Sequence, residues 1–74
     1  DHTVIRDERV LAASGYLLLL LGRLPEAEDR LRRALASPLI SQLGRVDALY
    51  NLGCVLARTG NEAECRTCLE QVVS

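Results

Sequence analysis

Shifted by 38 residues, the chain falls on itself without a gap. Gly15 meets Gly53 and Gly22 meets Gly60; Leu11 meets Leu49, Leu18 meets Leu56, Ala27 meets Cys65, Leu31 meets Leu69 and Ala34 meets Val72. No other feature narrows the fold as far. A self-similarity at a period of roughly 20–50 residues marks supersecondary units that cannot bury their apolar faces alone and stack on one another. The two units read VLAASGYLLLLLGRLPEAEDRLRRAL, residues 10–35, and ALYNLGCVLARTGNEAECRTCLEQVV, residues 48–73.

Each unit has the pattern of a helical hairpin. In the second, Leu49, Leu52, Gly53 and Leu56 step by i, i+3, i+4 and i+7, the spacing of one helix face. A glycine then follows, Gly22 or Gly60, where a left-handed residue ends a helix. The second helix starts within a few residues. Pro25 suits a first helical position, because its missing N–H would be unpaired there in any case. Glu26 and Glu28 lie toward the positive end of that helix's dipole, and Arg30, Arg32 and Arg33 toward the negative end. The pairs Glu26/Arg30, Glu28/Arg32 and Asp29/Arg33 set acid before base at i,i+4, worth about 0.2–0.5 kcal/mol each. This face reads as a solvated charged surface and not as a site. Asn61 is the expected N-cap of the matching helix. Gly15 and Gly53 fall mid-helix, at a cost of about 1 kcal/mol relative to alanine. That loss is offset if the missing side chain lets the partner helix come close, with Ala27 and Cys65 the small residues opposite.

These signals predict an all-α fold of two antiparallel helix-turn-helix hairpins, about four helices, over residues 4–21, 25–36, 39–58 and 61–73. Residues 1–74 form one domain, with repeat one at about 8–38, repeat two at about 46–74, and 39–45 as a linker or helix extension. Ser37 is expected to cap, and Pro38 to open, a helix that Leu39, Ile40 and Leu43 lengthen. A chain this short buries only about 60 % of its unfolded surface, so stability is marginal. The helical patterning runs up to both ends, as in a segment of a longer protein.

Composition excludes several function classes. The nine basic residues are all arginine, interleaved with ten acids at a net charge of −1, which argues against a nucleic-acid partner. The run Val10–Gly22 lacks charge and proline but is shorter than the roughly 20 residues that span a bilayer, so membrane insertion is not expected. The opening Asp1-His2-Thr3, with no basic leader, predicts no signal peptide. Three cysteines, Cys54, Cys65 and Cys68, are an odd number and read as free thiols of a reducing compartment. The expected location is cytoplasmic, with the nucleus also compatible.

Cys65-x-x-Cys68 is the one string that could carry chemistry. A redox dithiol needs a strand-helix setting that lowers a thiol pKa, whereas this pair falls one turn into a predicted helix. A zinc site needs four ligands, and only these cysteines, Cys54 and His2 at the chain's start are at hand. Small buried residues are the simpler reading. There is no Ser/His/Asp set, no pair of catalytic carboxylates and no phosphate-cradling glycine loop. We therefore expect no enzyme activity, no catalytic or metal-binding residue and no cofactor.

Taken together, the units resemble the tetratricopeptide repeat, whose pattern is Trp-x2-Leu-Gly-x2-Tyr, then Ala-x3-Phe, then Pro. Unit two offers Leu49-x2-Leu52-Gly53-x2-Leu56 and Cys65-x3-Leu69. Unit one offers Leu11-x2-Ser14-Gly15-x2-Leu18, Ala27-x3-Leu31 and Pro38. The strings YNLG, from Tyr50 to Gly53, and GRLPEAEDRLRRAL are typical of it. The aromatic positions of the pattern hold leucine, Ser14 replaces a large aliphatic, and the interval is 38 residues where the family has about 34. The resemblance implies a scaffold that presents a concave groove to a protein or peptide partner. It implies groove contacts from Arg9, Ala12, Tyr16, Leu19 and Leu20 in unit one. In unit two they come from Asp47, Tyr50, Cys54, Ala57 and Arg58. The family also includes binders of chaperone C-terminal carboxylates. Asn51 matches one asparagine of that clamp, but Ala12 and Tyr16 stand where it needs a lysine and an asparagine. With no lysine in the chain, that use is not expected.

The repeat architecture accounts for the five consecutive leucines, Leu17 to Leu21, which cover a helix all the way round. Leu18, with Leu11 and Gly15, is expected to face its own partner helix, Leu17 and Leu21 adjoining hairpins, and Leu19 and Leu20 the groove. On the last helix, Cys65, Leu69 and Val72 are expected inward, with Val73 and Cys68 toward a following helix. Apolar surface left uncovered at the ends, including Val4, Ile5, Leu17 and Leu21, gives a structural alternative: self-association through the uncapped ends.

Overall fold

The computed structural model describes residues 8–73. The expectations for His2, Val4 and Ile5, and for a first helix starting at residue 4, lie outside these residues. Four helices follow in order: α1 (Glu8–Leu20), α2 (Leu24–Ala36), α3 (Gln42–Arg58) and α4 (Glu62–Val73). No strand is present among the described residues.

Both hairpin turns are built the same way. At the first, the Gly22 N–H donates to the Leu19 carbonyl at 3.0 Å and the Arg23 N–H to the Leu18 carbonyl at 2.9 Å. At the second, 38 residues on, Gly60 donates to Ala57 at 3.3 Å and Asn61 to Leu56 at 2.8 Å. This paired pattern satisfies the last carbonyls of a helix and needs a left-handed residue at its centre. The φ angles of Gly22 and Gly60 are 78° and 83°. α4 then starts on a reciprocal cap: Asn61 Oδ1 accepts from the Glu64 N–H at 3.4 Å, and Asn61 Nδ2 donates to Glu64 Oε1 at 2.7 Å. α2 starts one residue earlier than expected, so Pro25 is its second residue. Glu26 pairs with Arg23 at 2.7 Å in place of Arg30, while Glu28–Arg32 and Asp29–Arg33 form as expected at 3.0 and 3.2 Å.

The linker departs from expectation. Pro38 and Leu39 form a turn in which the Ile40 N–H donates to the Ser37 carbonyl at 3.4 Å. α3 begins only at Gln42, capped by Ser41, whose Oγ accepts from the Gly44 N–H at 3.0 Å. Ser41 satisfies a free N–H of the first helical turn. Ser37 instead accepts from the Leu39 N–H at 3.3 Å and holds the turn. Leu39 and Leu43 are exposed.

α1 packs on α2, α3 on α4, and α3 also lies across both α1 and α2, in a slab of 36 × 28 × 14 Å. The core is an aliphatic seam of Leu11, Leu19, Ala27, Leu31, Ala34, Ala48, Leu49, Leu52, Val55 and Leu56, joined by Cys68. Burying each of the larger side chains contributes about 1.5–3 kcal/mol. The mid-helix glycines sit where the partner helix comes closest. A Cβ built on Gly15 would lie 2.7 Å from Leu31 Cγ, and one on Gly53 3.2 Å from Leu69 Cδ2. Ala27 and Cys65 lie opposite as expected, through their backbone carbonyls at 3.5 and 3.9 Å. Ser14, in the slot that Leu52 fills in the second unit, places its hydroxyl on the Leu11 carbonyl at 3.1 Å.

One ion pair ties the hairpins together across the surface. Arg32 donates through Nε to Glu28 on its own helix and through Nη2 to Glu64 of α4 at 2.9 Å. The hydrogen bonds from Arg32 and Asn61 hold the Glu64 carboxyl below its ordinary pKa. Cys68, expected to point outward, is buried behind this pair, and burial pushes its thiol pKa up. It turns inward because α4 lies against the first hairpin on the side that Arg32 occupies.

Candidate protein-binding groove

Between α1 and the N-terminal half of α3 lies a groove of about 470 Å³. α1 contributes Ala12, Ala13 and Tyr16, α3 contributes Gly44, Asp47 and Asn51, and the linker closes one end with Ile40 and Ser41. The helix spacing explains the set. Ala12 and Tyr16 follow one another by a turn, as do Asp47 and Asn51, so each pair shares one face of its helix. The late start of α3 leaves Ile40 and Ser41 free of the helix to form the end wall.

The alanines leave room, Ile40 supplies apolar surface, and Tyr16 is exposed. Asp47 is the one charged residue of the lining among the described residues. Among the described residues, neither its carboxylate nor the Asn51 amide has a hydrogen-bond partner. The groove thus offers an apolar floor with free acceptors and an amide donor at its side. Unpaired polar groups on a concave surface are the ones that fix orientation and specificity when a ligand arrives.

Of the residues expected at the groove, Ala12, Tyr16 and Asp47 line it. Leu20 and Tyr50 are exposed, outside the lining. Cys54 is half-buried against the core. Ala57 and Arg58 are exposed at the C-terminal end of α3, and Arg58 Nη1 donates to the Leu19 carbonyl at 3.3 Å. The side chain of Arg9 lies outside the described residues. Leu19 is a correction: it is 4 % exposed and belongs to the core. The second hairpin covers it, whereas Ala57, the same position one repeat later, has no described hairpin above it and is exposed. Four lining residues were not anticipated, Ala13, Ile40, Ser41 and Gly44, and Asn51, which the resemblance had matched to the carboxylate clamp, lines the groove as well. The Ser41-x-x-Gly44 cap could have pointed to Ser41 and Gly44, and the i,i+4 spacing from Asp47 to Asn51.

Among the described residues no cluster of three His, Cys, Asp or Glu side chains could hold a metal ion, and no helix is long and apolar enough to cross a membrane. A family model described as tetratricopeptide repeat matches residues 9–33 and 46–71, more than half of the chain. Neither a curated protein nor a solved structure matches significantly. Repeats of this family mediate protein–protein interaction and are typically non-enzymatic scaffolds. Two glycine-centred hairpins in one register, a mid-helix glycine in each, and the family match to both units make this chain a member of the tetratricopeptide repeat family.

Proposed function

We propose that the chain is an interaction module, without catalysis of its own, that holds a peptide or helix of a partner protein in the groove between α1 and α3. The reading rests on one observation. The concave surface joins apolar room over Ala12, Ala13 and Ile40 to a carboxylate and an amide that are unpaired among the described residues. Interfaces combine an apolar centre with a polar margin in this way. Tyr16 supplies the exposed aromatic that such sites favour. The odd cysteine count favours a reducing compartment, the cytoplasm or nucleus, as its place of action.

A displayed peptide library panned against the 74-residue chain tests the proposal. Peptides selected on the wild type should bind at least about tenfold more weakly to Tyr16→Ala or Asp47→Arg, the loss of one hot-spot contact. They should bind Val73→Glu, altered on a remote face, with unchanged affinity. Binders indifferent to both groove substitutions would refute the groove as the site.

A further inference from the structure

The two hairpins are copies in one register, so the contact between them shows what each repeat position meets when another hairpin is stacked on it. On the first hairpin Leu31 is 0 % exposed, while on the second its equivalent, Leu69, is 40 % exposed and Val73 is 84 % exposed. With Cys65 they line an open apolar depression on the outer side of α4. Similarly, Val55 is 0 % exposed against the first hairpin, and its equivalent Leu17 on α1 is 58 % exposed. The depression on α4 is therefore the counterpart of the surface that α3 and α4 cover on the first hairpin. The fold itself supplies a template for its occupant.

The charges in that template are reversed between the two copies. At the occupied interface Arg32 of the lower hairpin meets Glu64 of the upper one at 2.9 Å, and Glu28 supports Arg32 at 3.0 Å. One repeat later the position of Arg32 is held by Glu70 and that of Glu28 by Arg66. The hairpin next stacked on α4 would bring its own equivalent of Glu64 to Glu70. A second copy of this chain, stacked in the same register, would bring Glu26. It would also place Arg30 where the occupied interface buries Cys68. Both substitutions oppose the contact: like charges face each other, and a long cation enters a buried seat sized for a thiol.

We infer that the outer face of α4 is a docking surface for a helical hairpin that carries a basic residue in the first turn of its second helix and a small residue one turn further on, and that it rejects a second copy of this chain. This surface is separate from the groove between α1 and α3 and does not depend on it.

Extending the chain tests the inference directly. Residues 37–74 repeated after Ser74 preserve the 38-residue interval and set the added Glu64 opposite Glu70. Glu64→Arg in the added hairpin, or Glu70→Arg in the original one, should each raise Tm by roughly 2–6 °C, and the two together should return it to the unmodified level or below. The coupling between the two changes isolates this pair from their separate effects on helix stability. The same Glu64→Arg change in the original hairpin, where it faces Arg32, should lower Tm. Shifts that simply add would overturn the inference, whether the added hairpin fails to dock or docks without this pair. So would a head-to-tail dimer of the unextended chain, seen by sedimentation and lost in Val73→Glu.

Discussion

Gly15 and Gly53 occupy the same repeat position, yet replacing each by alanine should shift stability in opposite directions. Carbon atoms pack best at roughly 3.5–4.0 Å. A Cβ at residue 15 would sit 2.7 Å from Leu31 Cγ and 2.8 Å from Leu31 Cδ2. Leu31 is fully buried, and its Cγ is a branch point that cannot swing aside without moving the seam. Overpacking of this kind costs about 1–3 kcal/mol. The gain from replacing a mid-helix glycine returns about 1 kcal/mol. The net for Gly15→Ala is a destabilisation of up to about 2 kcal/mol, or a fall in Tm of up to roughly 16 °C in a domain of this size. A Cβ at residue 53 meets a terminal methyl, Leu69 Cδ2, at 3.2 Å, on a side chain with open solvent beside it. There the helix term wins, and Gly53→Ala should be neutral or stabilising by up to about 1 kcal/mol. Thermal and urea denaturation followed by circular dichroism at the helical band would measure both. Adding Leu31→Ala should remove the penalty of Gly15→Ala, because the clash partner is gone. Equal Tm values for the two single variants, or a penalty at residue 15 that survives Leu31→Ala, would refute the close-approach account of these glycines.

Three further outcomes are expected. Gly22→Ala and Gly60→Ala, forced to φ near 80°, should each cost about 1–2 kcal/mol, read as a lower urea midpoint at constant m-value; an unchanged midpoint would mean that the turns do not need glycine. The Glu64 carboxyl has a lower pKa folded than unfolded, so its ion pair stabilises above the ordinary value of 4.5 and is lost as pH falls through the folded value. Wild type should accordingly lose more Tm than Glu64→Gln between about pH 6 and pH 3, and parallel acid limbs would exclude the pair. Cys68, buried and with its thiol pKa raised, should be alkylated more slowly at mildly alkaline pH than Cys54 or Cys65 when each site is followed by mass spectrometry, and zinc or a chelator should leave Tm unchanged.

The fold was legible because its determinants recur at one interval. Gly22 and Gly60 announce both turns, Asn61 announces the start of α4, and the pairing of Gly15 with Gly53 sets the register; each has a local physical cause that a sequence displays. The groove was legible in part. Ala12, Tyr16 and Asp47 follow from helical spacing, but Ile40, Ser41 and Gly44 depend on where α3 begins. Two competing start signals lie four residues apart there, Ser37-Pro38 and Ser41. The second wins because its hydroxyl reaches the N–H of Gly44. Leu19 and Cys68 were assigned to the wrong side for a common reason. A repeat pattern describes an average unit, whereas burial depends on which neighbouring unit a position meets: Leu19 lies beneath the second hairpin, and Cys68 of the second hairpin lies against the first. Glu26 chose Arg23 over Arg30 because Arg23, lying just before the helix, can approach the carboxylate with two parallel donors, at 2.8 and 2.7 Å.

The position of α3 has a consequence for how the molecule comes apart. It touches every other helix, whereas the backbones of α2 and α4 do not approach one another. Take α4 away and α1, α2 and α3 still share the seats of Leu11, Leu31 and Ala48; take α3 away and, among the described residues, no backbone contact joins α4 to the α1–α2 pair, leaving side-chain contacts such as Arg32–Glu64. Cooperativity in this chain is therefore carried by one segment and not spread evenly. Partial opening should proceed from α4 inward, and hydrogen exchange should find the amides in the middle of α3, around Leu52 and Val55, the last to meet solvent.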